Sequence, residues 1–220
     1  ILNEKYFNQT TPFLFLTFSC YNFAQDTIIY QPNQMQKDLL KFKNALIKTH
    51  LGIYEYQTPK EFEEFMNQLM LETSKPLMGK EFYKTILKLV ANIHDADTGV
   101  HPYKELYESY KNKKRLPFQF FIKNQRIYMV RNMSNQLIPE GSEIISIDGD
   151  LSNSIISKML EHYSADGLNT SAMEHYLGVS YLSFSKHILL YMMKKTHTKS
   201  LIKIINQEKL RPKLLVQFQE

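Results

Sequence analysis

The stretch Gly141-Ser142-Glu143-Ile144-Ile145-Ser146-Ile147-Asp148-Gly149-Asp150 constrains the fold more than any other in this chain. Ile144, Ile145 and Ile147 form a short β-branched strand, and the period-2 alternation of a strand places Ile145 and Ile147 on one face and Ile144 on the other. Asp148-Gly149 closes it with a turn, because glycine takes positive φ at little cost and aspartate tolerates it. Beyond the turn, Ile155, Ile156, Met159, Leu160 and Tyr163 recur at helical spacing, with Asp150 or Ser152 placed to cap. A strand, a glycine turn and an amphipathic helix within about 20 residues fix one local unit of structure.

Ahead of this unit the period is helical. Met35, Leu39, Phe42 and Leu46 fall on one face of a helix over 33–47, which stops near Gly52, a candidate left-handed terminator. Thr58-Pro59-Lys60-Glu61 starts a second helix: Thr58 caps, Pro59 fits the first turn and Glu61 completes a capping box. Its apolar stripe is Phe62, Phe65, Met66 and Leu69. Pro76 breaks the chain, and a third helix runs from about Gly79 to Ile93 on Phe82, Ile86, Leu89 and Ile93. These stripes read as core. Three amphipathic helices on short loops can bury them against one another, so 26–112 reads as a helical N-terminal domain.

The loop from Ile93 to Pro102 gathers His94, Asp95, Asp97 and His101, and a metal site could be drawn from them. Their spacing matches no standard ligand pattern, and aspartate is a routine turn former, so no metal and no cofactor is expected.

After Arg115 the period changes again. Leu116–Ile122 and Arg126–Val130 read as a hairpin about Lys123-Asn124-Gln125. Ser171-x-x-Glu174 offers a capping box for a helix reaching about Phe184. Strands are expected over His187–Met193, Ser200–Ile205 and Leu214–Phe218. The fold class is therefore α+β, a three-helix domain followed by a small sheet or barrel with helices over 113–205. Residues 206–220 read as the start of a further domain.

At 220 residues, the chain carries 27 basic and 22 acidic side chains and one cysteine, Cys20. The excess charge is mild and spread out, which argues against a nucleic-acid partner. A single cysteine excludes a disulfide framework and a Cys-based metal site. No apolar run is long enough to span a membrane, so no membrane insertion of the mature chain is expected. No charge occurs between Lys5 and Asp26, and Pro12–Phe18 is almost wholly apolar. Residues 1–25 read as a secretory leader cleaved after Ala24, which implies an exported, periplasmic or secreted protein. A buried first helix is the other reading of this window, and lipidation at Cys20 a third.

The Gly141–Gly149 string resembles the G-(D/S)-x-I-L-x-I-(N/D)-G signature of bacterial PDZ modules, especially those inside secreted proteases. The order of pieces resembles the N-terminal half of the tail-specific, or C-terminal-processing, serine peptidases. Members often read His-Pro-Gly-Leu-Tyr where this chain has His50-Leu51-Gly52-Ile53-Tyr54, and Asp-Gly-His-Thr where it has Asp95-Ala96-Asp97-Thr98. Asp97 thus stands where the family has histidine. The resemblance implies a Ser–Lys dyad in a domain beyond the PDZ unit, and no residue of this chain is assigned a catalytic role. Gly141-Ser142 opens a strand and is not a nucleophile elbow, and Ser180, Ser183 and Ser185 precede no oxyanion segment. The implied partner is a polypeptide substrate, its C-terminal end above all, held as an added strand. The expected peptide-binding groove is lined by Leu116, Phe118, Phe120, Ile155 and Met159. Pro117 stands where the carboxylate-binding loop has glycine and brings no N–H. A non-catalytic secreted peptide-binding or scaffold protein is the alternative reading.

Overall fold

The computed structural model describes residues 28–111, 116–178 and 188, together with the backbone strands at 201–205 and 215–217. The expected leader and the serines at 180, 183 and 185 lie outside the described residues.

One helix begins where the sequence supplies groups for its unpaired N–H donors. Helix α2 (Pro59–Glu72) shows the expected arrangement in full. The Glu61 N–H donates to the Thr58 hydroxyl at 3.2 Å, and the Thr58 N–H donates back to Glu61 Oε2 at 2.7 Å. Helices α1 (Pro32–Thr49) and α3 (Gly79–Ala91) complete the expected trio. Met35 and Leu39 of α1, Phe62, Met66 and Leu69 of α2, and Leu89 and Ile93 around the end of α3 share one buried cluster. Each such side chain contributes about 1.5–3 kcal/mol by leaving water. Two-residue strands β1 (Ile29–Tyr30) and β2 (Leu77–Met78) pair antiparallel beside them.

A fourth helix, α4 (Lys104–Lys111), lies beyond the expected trio. Only Leu106 and Tyr110 of its apolar residues are buried, packing with Tyr83 and Leu87 of α3. Two apolar anchors in eight residues are too few for a periodic signal.

The second half is an antiparallel sheet. Strand β3 (Phe118–Lys123) pairs with β4 (Arg126–Asn132), β4 with β5 (Glu143–Ile147), β5 with β7 (Leu201–Ile205), and β7 with β8 (Leu215–Gln217). The short β6 (Asp150–Leu151) returns along β5. Among the described residues the sheet is open, and no barrel closes. Helices α5 (Ser152–Leu160) and α6 (Thr170–Gly178) accompany it. Phe118, Phe120, Ile122, Ile127, Met129, Ile144, Ile147, Ile155, Ile156, Met159 and Leu177 form its core. The molecule is α+β, with one core among helices and another under the sheet.

Several local expectations are corrected. Asp148 and Gly149 do form the two-residue turn, with φ of 52° and 90°. However, Ile144 and Ile147 are the buried pair, whereas Ile145 is only part-buried. The pairing of β5 with β7 shifts register between Ile144 and Ser146, and one inserted residue reverses which face follows. Helix α5 starts after Leu151 with no side-chain cap, because the Ser152 hydroxyl donates instead to the Ile144 carbonyl. At the end of α1, His50 is extended, and Gly52 has no positive φ. Asn169 rather than Ser171 caps α6, its Oδ1 accepting the Ala172 N–H at 3.0 Å. Ile188, the one described residue of the strand expected over 187–193, is helical.

Candidate functional site

Two places bring polar chemistry together. The first is the loop after α3. Asp95 Oδ2 accepts the His50 Nε2–H at 2.9 Å and also the Thr98 hydroxyl. His50 Nε2 lies 3.1 Å from the Thr98 oxygen as well. A carboxylate only accepts, so the proton on His50 sits at Nε2. These hydrogen bonds, the Thr98 hydroxyl first and His50 second, hold the Asp95 carboxyl below its ordinary pKa. A histidine on an aspartate is the pairing that activates many nucleophiles, but the other imidazole nitrogen of His50, Nδ1, is buried with no partner among the described residues. The cluster is a clasp that fixes the end of α1 to this loop.

The same loop is tied to the sheet unit. The Ser164 hydroxyl donates to the Asp95 carbonyl at 2.7 Å, and the Ala96 N–H to Asp166 Oδ1 at 2.9 Å. The Gly167 N–H donates to the His94 carbonyl at 2.9 Å. Burial lowers the pKa of His94. Asp97 is exposed, and its N–H donates to Asp95 Oδ1 at 3.1 Å. Of the four side chains from which a metal site could be drawn, Asp95 alone joins the clasp. Among the described residues no three His, Cys, Asp or Glu side chains converge to hold a metal.

The second place is the outer edge of β3. The Met129 N–H donates to the Ser142 carbonyl at 2.9 Å, so Met129 turns its backbone groups toward β5. Alternation then turns those of Tyr128 toward its partner Phe121 on β3. Phe120 and Ile122 therefore direct their backbone N–H and C=O groups away from β4, toward the outer edge of the sheet. Helix α6 lies along this edge. At its end, a β-carbon on Gly178 would stand 3.2 Å from the Phe120 oxygen and 3.3 Å from the Ile122 nitrogen. Nearer its start, Glu174 receives the Gln125 N–H at 2.7 Å and the Asn124 N–H at 2.9 Å. A cleft of about 230 Å³ remains beside this contact, lined in part by Phe121, Val130 and His175.

The structure brings the five expected groove residues together, but inside the core. Phe118, Phe120, Ile155 and Met159 are no more than 3% exposed, and Leu116 packs against them. Leu177 of α6 belongs to the same cluster.

This arrangement resembles that of CPAF. A structure of mature CPAF, a chlamydial serine protease, complexed with lactacystin superposes with a TM-score of 0.56 at 14% identity, covering 86% of this chain and 34% of that one. A serine-to-alanine mutant of CPAF gives a TM-score of 0.50 at 14% identity, over 85% and 33%. This chain thus spans about a third of the length of the CPAF structures. At this identity the likeness shows a shared fold alone. No family model and no curated protein matches the sequence.

Glu174 and Gly178 are the residues whose roles the sequence did not disclose. A signal for Glu174 exists in hindsight. The hairpin turn Asn124-Gln125 has φ of 51° and 57° with no glycine, and such a turn benefits from an anionic acceptor for its N–H groups.

Proposed function

We propose that this chain is the N-terminal, substrate-recognition portion of an exported serine peptidase of the tail-specific family. The helical unit over 26–112 precedes a PDZ-like unit over 113–205, and residues 1–25 act as a secretory leader. The likeness to CPAF across most of the chain is the single observation that carries the peptidase reading. The motif matches at His50–Tyr54, Asp95–Thr98 and Gly141–Gly149 support the finer assignment. The partner is a polypeptide, with no nucleic acid and no membrane insertion. Among the described residues no helix is long and apolar enough to cross a membrane.

In this reading a substrate segment adds as a strand to the edge of β3, over the floor made by Leu116, Phe118, Phe120, Ile155 and Met159. Backbone pairing of an added strand supplies sequence-tolerant affinity. Pro117 contributes no N–H, and its carbonyl already accepts the Met133 N–H at 2.9 Å, so capture of a terminal carboxylate is weak.

One observation favours the alternative, a non-catalytic peptide-binding protein. Asp97 is exposed where the resembled family carries histidine, and a carboxylate there does not reproduce imidazole chemistry.

The test uses the purified chain with a fluorescein-labelled unfolded polypeptide. Saturable binding without cleavage, equal for free-acid and amidated peptides, is expected. Turnover that is lost on substituting one of the chain's own serines contradicts the proposal. So does a folded chain that binds no peptide.

A further inference from the structure

We infer that the loop 94–98 is a latch that couples the end of α1 to the segment 164–167 between α5 and α6, with the Asp95 carboxylate as its catch. This joint is independent of the peptide-recognition reading above. Asp95 bonds in two directions. Its carboxylate takes the end of α1, Oδ2 accepting the His50 Nε2–H at 2.9 Å together with the Thr98 hydroxyl. Its carbonyl takes the sheet unit, accepting the Ser164 hydroxyl at 2.7 Å.

The neighbours of Asp95 extend the hold. The His94 carbonyl accepts the Gly167 N–H at 2.9 Å, and the Ala96 N–H donates to Asp166 Oδ1 at 2.9 Å. Three successive residues thus each hold one residue of the segment through a backbone group. Gly167 also brings the segment against the loop that follows α1. A β-carbon there would stand 3.3 Å from the Tyr56 ring, and the φ of 65° at Gly167 suits only a residue without one. Tyr56 in turn meets the His94 ring edge to face, 6.1 Å between centroids.

The three bonds form together only while the loop keeps one backbone shape, and the carboxylate sets that shape. Asp95 Oδ1 accepts the Asp97 N–H at 3.1 Å, and the Asp95 carbonyl accepts the Thr98 N–H at 3.3 Å. His94 holds a φ of 58°, in the left-handed region that residues with side chains seldom enter. Such a conformation persists where its surroundings over-determine it. With the catch released, His94 is free to relax, and its carbonyl turns from the Gly167 N–H. A change at the end of α1 is therefore felt at the segment leading into α6, and a coupling of this kind is reciprocal.

The experiment compares the full chain with Asp95→Ala and with Thr98→Val, which removes the latch hydroxyl at nearly constant volume. Each is checked by circular dichroism for an intact fold. Amide exchange is followed by NMR at Gly167, whose N–H crosses the joint. Met129 in the sheet and Thr73 at the end of α2 are the references. Both variants should speed exchange at Gly167 about tenfold or more and leave Met129 and Thr73 unchanged. From the other side, Ser164→Ala should raise the pH at which the Asp95 carboxyl protonates, read by carbon NMR, because the Thr98 and His50 hydrogen bonds that hold it low are loosened. Unchanged exchange at Gly167 in the folded variants would overturn the inference. Equal acceleration at Gly167, Met129 and Thr73 would also overturn it, since general destabilisation then accounts for the change. An Asp95 titration unaltered by Ser164→Ala would contradict the reciprocal coupling.

Discussion

The Glu174 carboxylate on α6 accepts the backbone N–H of Gln125, the second residue of the β3–β4 turn, at 2.7 Å. Gln125 holds a φ of 57°, a conformation that glutamine seldom takes. One carboxylate thus stabilises a strained turn and positions a helix on the neighbouring strand edge. Glu174→Gln should destabilise the chain by about 1–3 kcal/mol, since a hydrogen bond to a charged group is lost and a nearly buried polar group is left partly unsatisfied. Urea unfolding with an unchanged slope should show this loss.

Gly149→Val should cost about 1–3 kcal/mol. A β-carbon there meets no atom within 4 Å, so the penalty comes from the φ of 90° alone. A Gly149→Asn control, tolerant of positive φ, should lose much less. Equal losses for both would mean that the turn conformation is not the cause.

Ile144→Ala should cost roughly 2–5 kcal/mol, because its side chain is fully buried in the sheet core. Ile145→Ala should cost much less, since the register shift leaves it only part-buried. Paired denaturation curves distinguish the two, and the reverse order would place the bulge elsewhere.

Much of the fold was legible, and the losses have physical causes. Thr58 and Glu61 act within one turn, so their capping box depends on nothing distant and forms as expected. The turn at Asp148-Gly149 does likewise. Serine at 171 and glutamate at 174 match the same pattern, yet Asn169 caps the helix and Glu174 goes to a turn about fifty residues away in sequence. A local pattern cannot announce that a tertiary partner will claim its side chain. The face of β5 departs from expectation for a related reason, since the bulge arises in pairing with β7 and not within β5. Of the candidate site, the five residues expected to line a groove lie together in the sheet core, because apolar spacing in the sequence does not tell a groove wall from a core face.

Stability should fall on acidification through His162. Burial lowers its pKa to about 4 from 6.5, with Lys88 and Lys84 pushing in the same direction. Between those values the unfolded chain holds more protons than the folded one, so stability is lost as pH falls from 6.5 towards 4. The loss attributable to this group approaches about 3 kcal/mol. His162→Gln should flatten that part of the urea-midpoint profile. An unchanged acid limb in the variant would assign the loss to other groups.

Residues 1–30 fused to alkaline phosphatase should carry the reporter across the inner membrane, with the mature end at Gln25. Phosphatase retained inactive in the cytoplasm would favour a buried first helix over a leader.

The central claim is that β3 offers its outer edge to a polypeptide. Hydrogen exchange on the intact chain, with and without a saturating unfolded peptide, tests it most directly. The account predicts that peptide slows exchange at Ile122 and along β3. Protection confined to another surface, with β3 and its turn unchanged, would contradict it.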